Sequence, residues 1–184
     1  TGGGPYSMPT RWETVLTAMG HTVNIQPISV LDNNSFFATT NVLIVSDGTA
    51  GYSTTQINTI KAFLQSGKPV YLQTEYLSTY GGNVAFAQIV SALGSSFTWG
   101  ASQSDDQNPN IFGTFATTNN AVPSLPYYWY GCNGTAGANI FTFIKSTPGG
   151  IPLGWSFCPA NTSYGKLITT SDQDWIQSAV TYPI

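Results

Sequence analysis

The sequence predicts an α/β domain built on a doubly wound, mainly parallel sheet, with an irregular and partly antiparallel insertion toward its C-terminal end. Three observations carry that reading. One grammar of amphipathic helix, glycine stop and apolar strand repeats through the first 100 residues. An unbroken apolar run, Asn41-Val42-Leu43-Ile44-Val45-Ser46, fits a strand covered on both faces. Beyond residue 100 the prolines 109, 123, 126, 148, 152 and 159 interrupt any helical period.

The elements follow in order. A first helix starts near Pro9, a residue suited to a first turn, and spaces Trp12, Val15, Leu16 and Met19 along one face. Gly20 stops it, and Thr22–Ile28 reads as a strand. A second helix opens on the capping box Ser53-Thr54-Thr55-Gln56 and should bury Ile57, Ile60, Phe63 and Leu64. Gly67 stops it ahead of the strand Pro69–Gln73. A third helix, from about Asn83, should bury Phe86, Ile89, Val90 and Leu93, and Gly94 ends it before the strand Phe97-Thr98-Trp99. Short antiparallel strands are expected around Tyr127–Tyr130, Ile140–Ile144 and Leu153–Phe157, partly outside the main sheet. Lys166–Thr170 restores a buried strand, and a short helix is expected through Trp175–Val180. The whole reads as one domain: a regular part over 1–100, a Pro/Gly-rich insertion over 101–165, and a return strand and helix over 166–184.

Composition narrows the function. The 184 residues are 41 % hydrophobic and 14 % aromatic but only 7 % charged. Uncharged polar residues (Ser, Thr, Asn and Gln, 64 in all) take the place of charges, and mean hydropathy is −0.01. Aromatic content and regular apolar periods argue against disorder. Five basic residues in a chain of net charge −3 form no phosphate-tracking stripe, so nucleic acid is not an expected partner. No apolar run reaches the length of a membrane span.

Cys132 and Cys158 lie in turn-like sequence without a C-x-x-C motif, and a disulfide between them is expected. Asn33, Asn133 and Asn161 each begin an Asn-x-Ser/Thr sequon and are candidate glycosylation sites, although an Asn- and Thr-rich chain supplies such triplets by chance. The sequence opens at Thr1 with neither an initiator Met nor a signal-peptide pattern. Together these features set the expectation of a processed segment of a secreted or cell-surface protein.

The order of Gly2-Gly3-Gly4, Val42–Ser46 with Asp47-Gly48, the helix after Ser53, Gly67-Lys68-Pro69-Val70-Tyr71-Leu72 and Gly165–Asp172 resembles the class I glutamine-amidotransferase-like superfamily, which is flavodoxin-like and three-layered. The resemblance covers nearly the whole chain and is nearest to extracellular members that lack amidotransferase chemistry. In catalytic members a cysteine nucleophile occupies the turn after the strand matching Pro69–Gln73. Here that turn reads Gln73-Thr74-Glu75-Tyr76, and the family's catalytic histidine has no counterpart. The resemblance therefore implies a fold without that activity. It also implies a parallel strand ahead of Gly2, and residues 1–184 offer only Val180–Ile184 to replace it. Pro183 makes that tail a poor central strand, so the strand is expected from outside these residues or from another subunit, with a re-ordered, self-contained sheet as the main rival.

Several groups invite a chemical reading. His21, the one histidine, stands at a helix end on the edge away from the strands' carboxyl ends, so a Ser or Cys triad has no base. Gly154-Trp155-Ser156-Phe157-Cys158 imitates a nucleophile elbow but lacks its final Gly and its helix. Gly2-Gly3-Gly4-Pro5 lacks the lysine and spacing of a phosphate loop. Asp105–Asn110 supplies oxygens without the bidentate Glu of a calcium loop. No metal and no cofactor are expected. Asp47, Glu75 and Asp172 each follow a predicted strand and should meet at one sheet edge with Tyr76. There they can bind a ligand, act as an acid–base pair, or simply cap turns. Tyr80, Trp99 and Tyr127–Tyr130 add rings that stack on sugars or anchor interfaces. The expected function is a non-catalytic extracellular interaction or assembly module, with partners among other copies of itself, neighbouring domains or glycans. A glycan- or small-ligand-binding module and a carboxylate-only hydrolase are the alternatives.

Overall fold

The computed structural model describes residues 8–106, 110–111, 128–146 and 149–171. The elements are α1 (Met8–Ala18), β1 (Leu43–Val45), α2 (Thr54–Gln65), β2 (Val70–Leu72), α3 (Gly81–Ala92), β3 (Phe97–Asp106), β4 (Asn110–Ile111), β5 (Tyr128–Ala136), β6 (Ile140–Lys145), β7 (Pro152–Phe157) and β8 (Leu167–Thr170). Six strands form one sheet in the order β1-β2-β8-β7-β6-β4, while β3 and β5 pair separately as a ribbon. The pairs β1–β2 and β2–β8 are parallel, and β8–β7, β7–β6 and β6–β4 are antiparallel. The sheet is thus mixed, parallel at one end, rather than mainly parallel as expected. The expected insertion supplies the difference, because β6 and β7 join the main sheet.

Local chemistry explains the helices well. Ser53 accepts the Gln56 N–H at 3.2 Å, and the Gln56 side chain accepts the Ser53 N–H at 3.0 Å, closing both halves of the capping box. Ile57, Ile60, Phe63 and Leu64 are buried as their spacing predicts. Gly20, Gly67 and Gly94, the three expected stops, all take φ between 86° and 87°, where a side chain would clash with its own backbone. Just past α2, Lys68 turns inward. Its Nζ donates to the carbonyls of Phe37 and Thr40 and lies 5.6 Å from the Phe63 ring centroid. That clamps the 3-10 turn Ser35–Ala38 onto the end of α2.

Alternation along β2 divides the layers. Val70 and Leu72 are buried in the cluster with Phe63 and Leu64, whereas the Tyr71 ring meets Trp12 of α1 at 5.0 Å on the other face. A second aromatic group fastens the ribbon to the sheet. Phe97 lies edge-on to Phe86 at 5.0 Å and to Trp155 at 4.9 Å, and Trp99 meets Trp155 at 5.4 Å.

Four expectations need correction. Thr22–Ile28 is not a strand: no strand lies beside it among the described residues, and Ile25 is 45 % exposed. The apolar stripe of α1 is incompletely covered, since Met8 alone is buried and Met19 is 61 % exposed. The run Asn41–Ser46 yields a three-residue edge strand, with Leu43 and Ile44 half-buried and Val42 exposed. Phe97–Trp99 begins a ten-residue strand that pairs antiparallel with β5 and not within the parallel sheet.

The expected disulfide is also absent, and both cysteines are free thiols. Cys132 lies on β5 opposite Ser102, and its Sγ donates to the Gly100 carbonyl at 3.2 Å. Cys158 follows the end of β7, with its Sγ 3.9 Å from Ser156 Oγ. Ribbon and sheet direct the two sulfurs to separate neighbours. Burial pushes the Cys132 thiol pKa up.

Candidate functional site at the carboxyl edge of the parallel strands

Because β1, β2 and β8 run parallel, the residues that follow them emerge at one edge. Asp47 and Glu75 both belong to that edge, and their loops touch. A Cβ placed on Gly48 would stand 2.8 Å from Glu75 Cγ, so only glycine lets the loop after β1 lie against the turn after β2. Asp172, the third expected carboxylate, lies outside the described residues. Its neighbour Ser171 is buried at the end of β8, where its hydroxyl donates to the Leu153 carbonyl at 3.0 Å.

Asp47 acts on its own loop. One carboxylate oxygen accepts from the Thr49 N–H at 3.2 Å, the Thr49 hydroxyl at 2.9 Å and the Ala50 N–H at 3.1 Å. This is the turn-capping geometry of an Asp. The Tyr52 hydroxyl donates to the Asp47 carbonyl. Burial, reinforced by the nearby Asp47 charge, raises the Tyr52 pKa well above its ordinary value.

The turn Gln73-Thr74-Glu75 is buried throughout. Gln73 Nε2 donates to the Thr170 carbonyl at 3.1 Å, and Gln73 Oε1 accepts from the Tyr71 hydroxyl at 2.5 Å. The Thr74 hydroxyl donates to the same Thr170 carbonyl at 2.8 Å, and Thr169 Oγ1 donates to the Leu72 carbonyl at 2.7 Å. These bonds continue the β2–β8 pairing past the last ladder residue. Glu75 is 4 % exposed. Its backbone N–H donates to Asn83 Oδ1 at 2.8 Å, and its carbonyl accepts from Asn83 Nδ2 at 2.9 Å.

The glycines at the start of α3 permit that approach. A Cβ on Gly82 would stand 2.1 Å from the Gln73 carbonyl oxygen, and one on Gly81 would stand 1.6 Å from the Ala50 carbonyl oxygen. At the rim, the rings of Tyr76 and Tyr80 meet edge to face at 5.4 Å, with Tyr80 Oη donating to Tyr76 Oη at 3.2 Å. That hydrogen bond first, then desolvation and the charges of Tyr76 and Glu75, raise the Tyr80 pKa. Trp99 Nε1 donates to the Asn83 carbonyl at 2.7 Å, and the Ser102 hydroxyl to the Tyr76 carbonyl at 2.6 Å. The ribbon therefore packs on the same edge.

Asn83, Gly82 and Gly48 hold this edge together, yet sequence reasoning did not single them out as site residues. The Gly81-Gly82 pair opening a helix was the visible signal. Among the described residues no three His, Cys, Asp or Glu side chains cluster as metal ligands, and the loop 105–110 lies partly outside them. Of the sequons, Asn33 and Asn161 are exposed, and each side-chain oxygen accepts the N–H two residues on. Asn133 is half-buried on β5, against Gly100.

No family model matches the chain, and no curated protein does. Solved structures do. A cytoplasmic protein from Salmonella typhimurium LT2, STM1381, matches with a TM-score of 0.66 at 11 % identity over 92 % of this chain and 80 % of that one. The mmIFT52 N-terminal domain gives 0.62 at 10 % identity over 93 % and 88 %. A ThuA-like protein from Bacteroides uniformis gives 0.53 at 10 % identity over 92 % and 79 %. At these identities the likeness is one of fold. It supports a flavodoxin-like, class I glutamine-amidotransferase-like architecture and nothing finer.

Proposed function

We propose that this chain is a non-catalytic, doubly wound α/β module that serves as an interaction or assembly unit of a secreted or cell-surface structure. The observation that carries the reading is the turn after β2. Where the resembled family places its cysteine, this chain has Gln73-Thr74-Glu75, buried and hydrogen-bonded into β8 and α3. Such a turn fixes packing instead of presenting a nucleophile. His21, the remaining resource for triad chemistry, is exposed beyond α1. The very low charged fraction supports the extracellular part of the reading.

The test pairs two measurements on one preparation. Glutamine hydrolysis, followed by ammonia release, should be absent. Light scattering against concentration should show self-association, with other domains of a surface protein as the alternative partners. Ammonia release that disappears in Glu75→Gln would overturn the non-catalytic reading in favour of carboxylate chemistry.

One observation favours a second reading, a glycan- or small-ligand-binding module. The Tyr76–Tyr80 pair stands half-buried at the rim, offering ring faces and hydroxyls together. Glycan-array binding lost in Tyr76→Ala would support it, and an array without binders would end it.

A further inference from the structure

The three Asn-x-Ser/Thr triplets fold into two different environments. Asn33-Asn34-Ser35 lies at the junction of the 3-10 turns Ile28–Asp32 and Ser35–Ala38, and Asn161-Thr162-Ser163 lies in the loop from β7 to β8. All six of these residues are exposed. Asn33 Oδ1 accepts the Ser35 N–H at 2.9 Å. Asn161 Oδ1 accepts both the Ser163 N–H at 3.1 Å and the Ser163 hydroxyl at 2.7 Å. Each side chain thus folds its own triplet into a local turn closed by residue i+2. Among the described residues no hydrogen bond engages the Nδ2 of either asparagine.

Asn133-Gly134-Thr135 is a strand instead. Gly134 and Thr135 pair with Trp99 and Thr98 of β3, and Asn133 is half-buried beside the irregularity that separates Trp99 from Ser102 in that ladder. Its amide oxygen stands over Gly100, where a Cβ would leave it no room, and the Gly134 backbone lies against the Phe97 and Trp155 rings. Those rings belong to the buried aromatic group that fastens the ribbon to the sheet. An enzyme that modifies asparagine must draw the acceptor triplet out of the fold and into its own site. For the two loops that breaks local turn bonds. For β5 it breaks ladder pairs and uncovers Phe97 and Trp155.

We propose that the folded chain presents Asn33 and Asn161 as acceptors for N-linked oligosaccharide and withholds Asn133. The co-substrate is an oligosaccharide carried on a polyprenyl diphosphate, and the enzyme is an oligosaccharyltransferase that reads Asn-x-Ser/Thr. In the step, Nδ2 bonds to C1 of the reducing-end sugar while the C1–O bond to the diphosphate breaks. The lipid diphosphate leaves with the electron pair, and the Nδ2 proton passes to a base of the transferase. The inference goes beyond the interaction reading above, because it assigns the positions that carry carbohydrate. It stands on the geometry of the three triplets.

The test is transfer in vitro to folded residues 1–184, with a purified oligosaccharyltransferase, its lipid-linked donor and peptide mass mapping of the product. Additions are expected at Asn33 and Asn161, with Asn133 at least about 10-fold slower. Ser35→Ala and Ser163→Ala should each remove one addition, and Thr135→Ala should leave both. The isolated peptide 128–138 should accept at Asn133, which assigns the slow rate to the fold. A folded chain left unmodified at Asn33 or Asn161 would overturn the proposal. Asn133 modified in the folded chain as fast as the two loops would overturn it too, and an unreactive peptide would overturn the part given to the fold. The donor is supplied in the assay, so such a failure leaves the interaction reading standing. A chain that never self-associates would overturn that reading and leave this one intact.

Discussion

Asn83 grips Glu75 by both polar groups of its peptide backbone, accepting the N–H at 2.8 Å and donating to the carbonyl at 2.9 Å. Both residues are buried. The amide thus replaces a strand partner at the point where the chain leaves β2, and it joins the turn to the first turn of α3. Asn83→Ala should remove both of these buried hydrogen bonds and cost about 2–4 kcal/mol. Urea denaturation of the variant checks this, and an unchanged midpoint would contradict it.

Two glycine substitutions should separate close approach from backbone conformation. Gly94→Ala meets open space, but at a φ of +87°, and should cost about 1 kcal/mol. Gly82→Ala drives a Cβ to within 2.1 Å of the Gln73 carbonyl oxygen and should cost about 3 kcal/mol or more. Equal losses in thermal denaturation would mean that α3 does not press on the turn as described.

The free thiols predict their own order of reaction. Cys158, half-buried, should react with iodoacetamide in the folded protein before Cys132, which is buried with a raised pKa. Unfolding without reductant should expose both. Mass spectrometry showing neither thiol alkylated would restore the disulfide.

Tyr52 makes stability depend on alkaline pH. Its pKa is raised above the ordinary 10.0 in the folded state, so its contribution is fully present below pH 10.0. Above that, the unfolded chain releases the proton while the folded chain retains it, and stability is lost as pH rises. Tyr52→Phe should flatten the decline measured by denaturation between about pH 10 and 12. A slope identical to the unsubstituted chain would assign the effect elsewhere.

The candidate edge was half legible in advance. Asp47, Glu75 and Tyr76 could be assigned to it because each follows an apolar strand, and the bland reading of Asp47 as a turn cap matches its three hydrogen bonds. The role of Asn83 could not be read, since its bonds to Glu75 close over eight residues through a turn whose path depends on Gly82. Asp172 lies outside the described residues.

What the sequence alone determined is whatever closes within a few residues. The Ser53–Gln56 capping box, the buried face of α2, and the positive-φ stops at Gly20, Gly67 and Gly94 are interactions of a chain with itself at short range. Tertiary structure decided which extended segments became strands, and with whom. Thr22–Ile28 and Phe97–Trp99 carry comparable apolar patterns, but the second found β5 and the first found no neighbour among the described residues. It also decided the fate of the thiols, by placing Cys132 in the ribbon and Cys158 past the end of β7. A helix satisfies its own backbone, whereas a strand is stable only when distant residues supply the other half of each hydrogen bond.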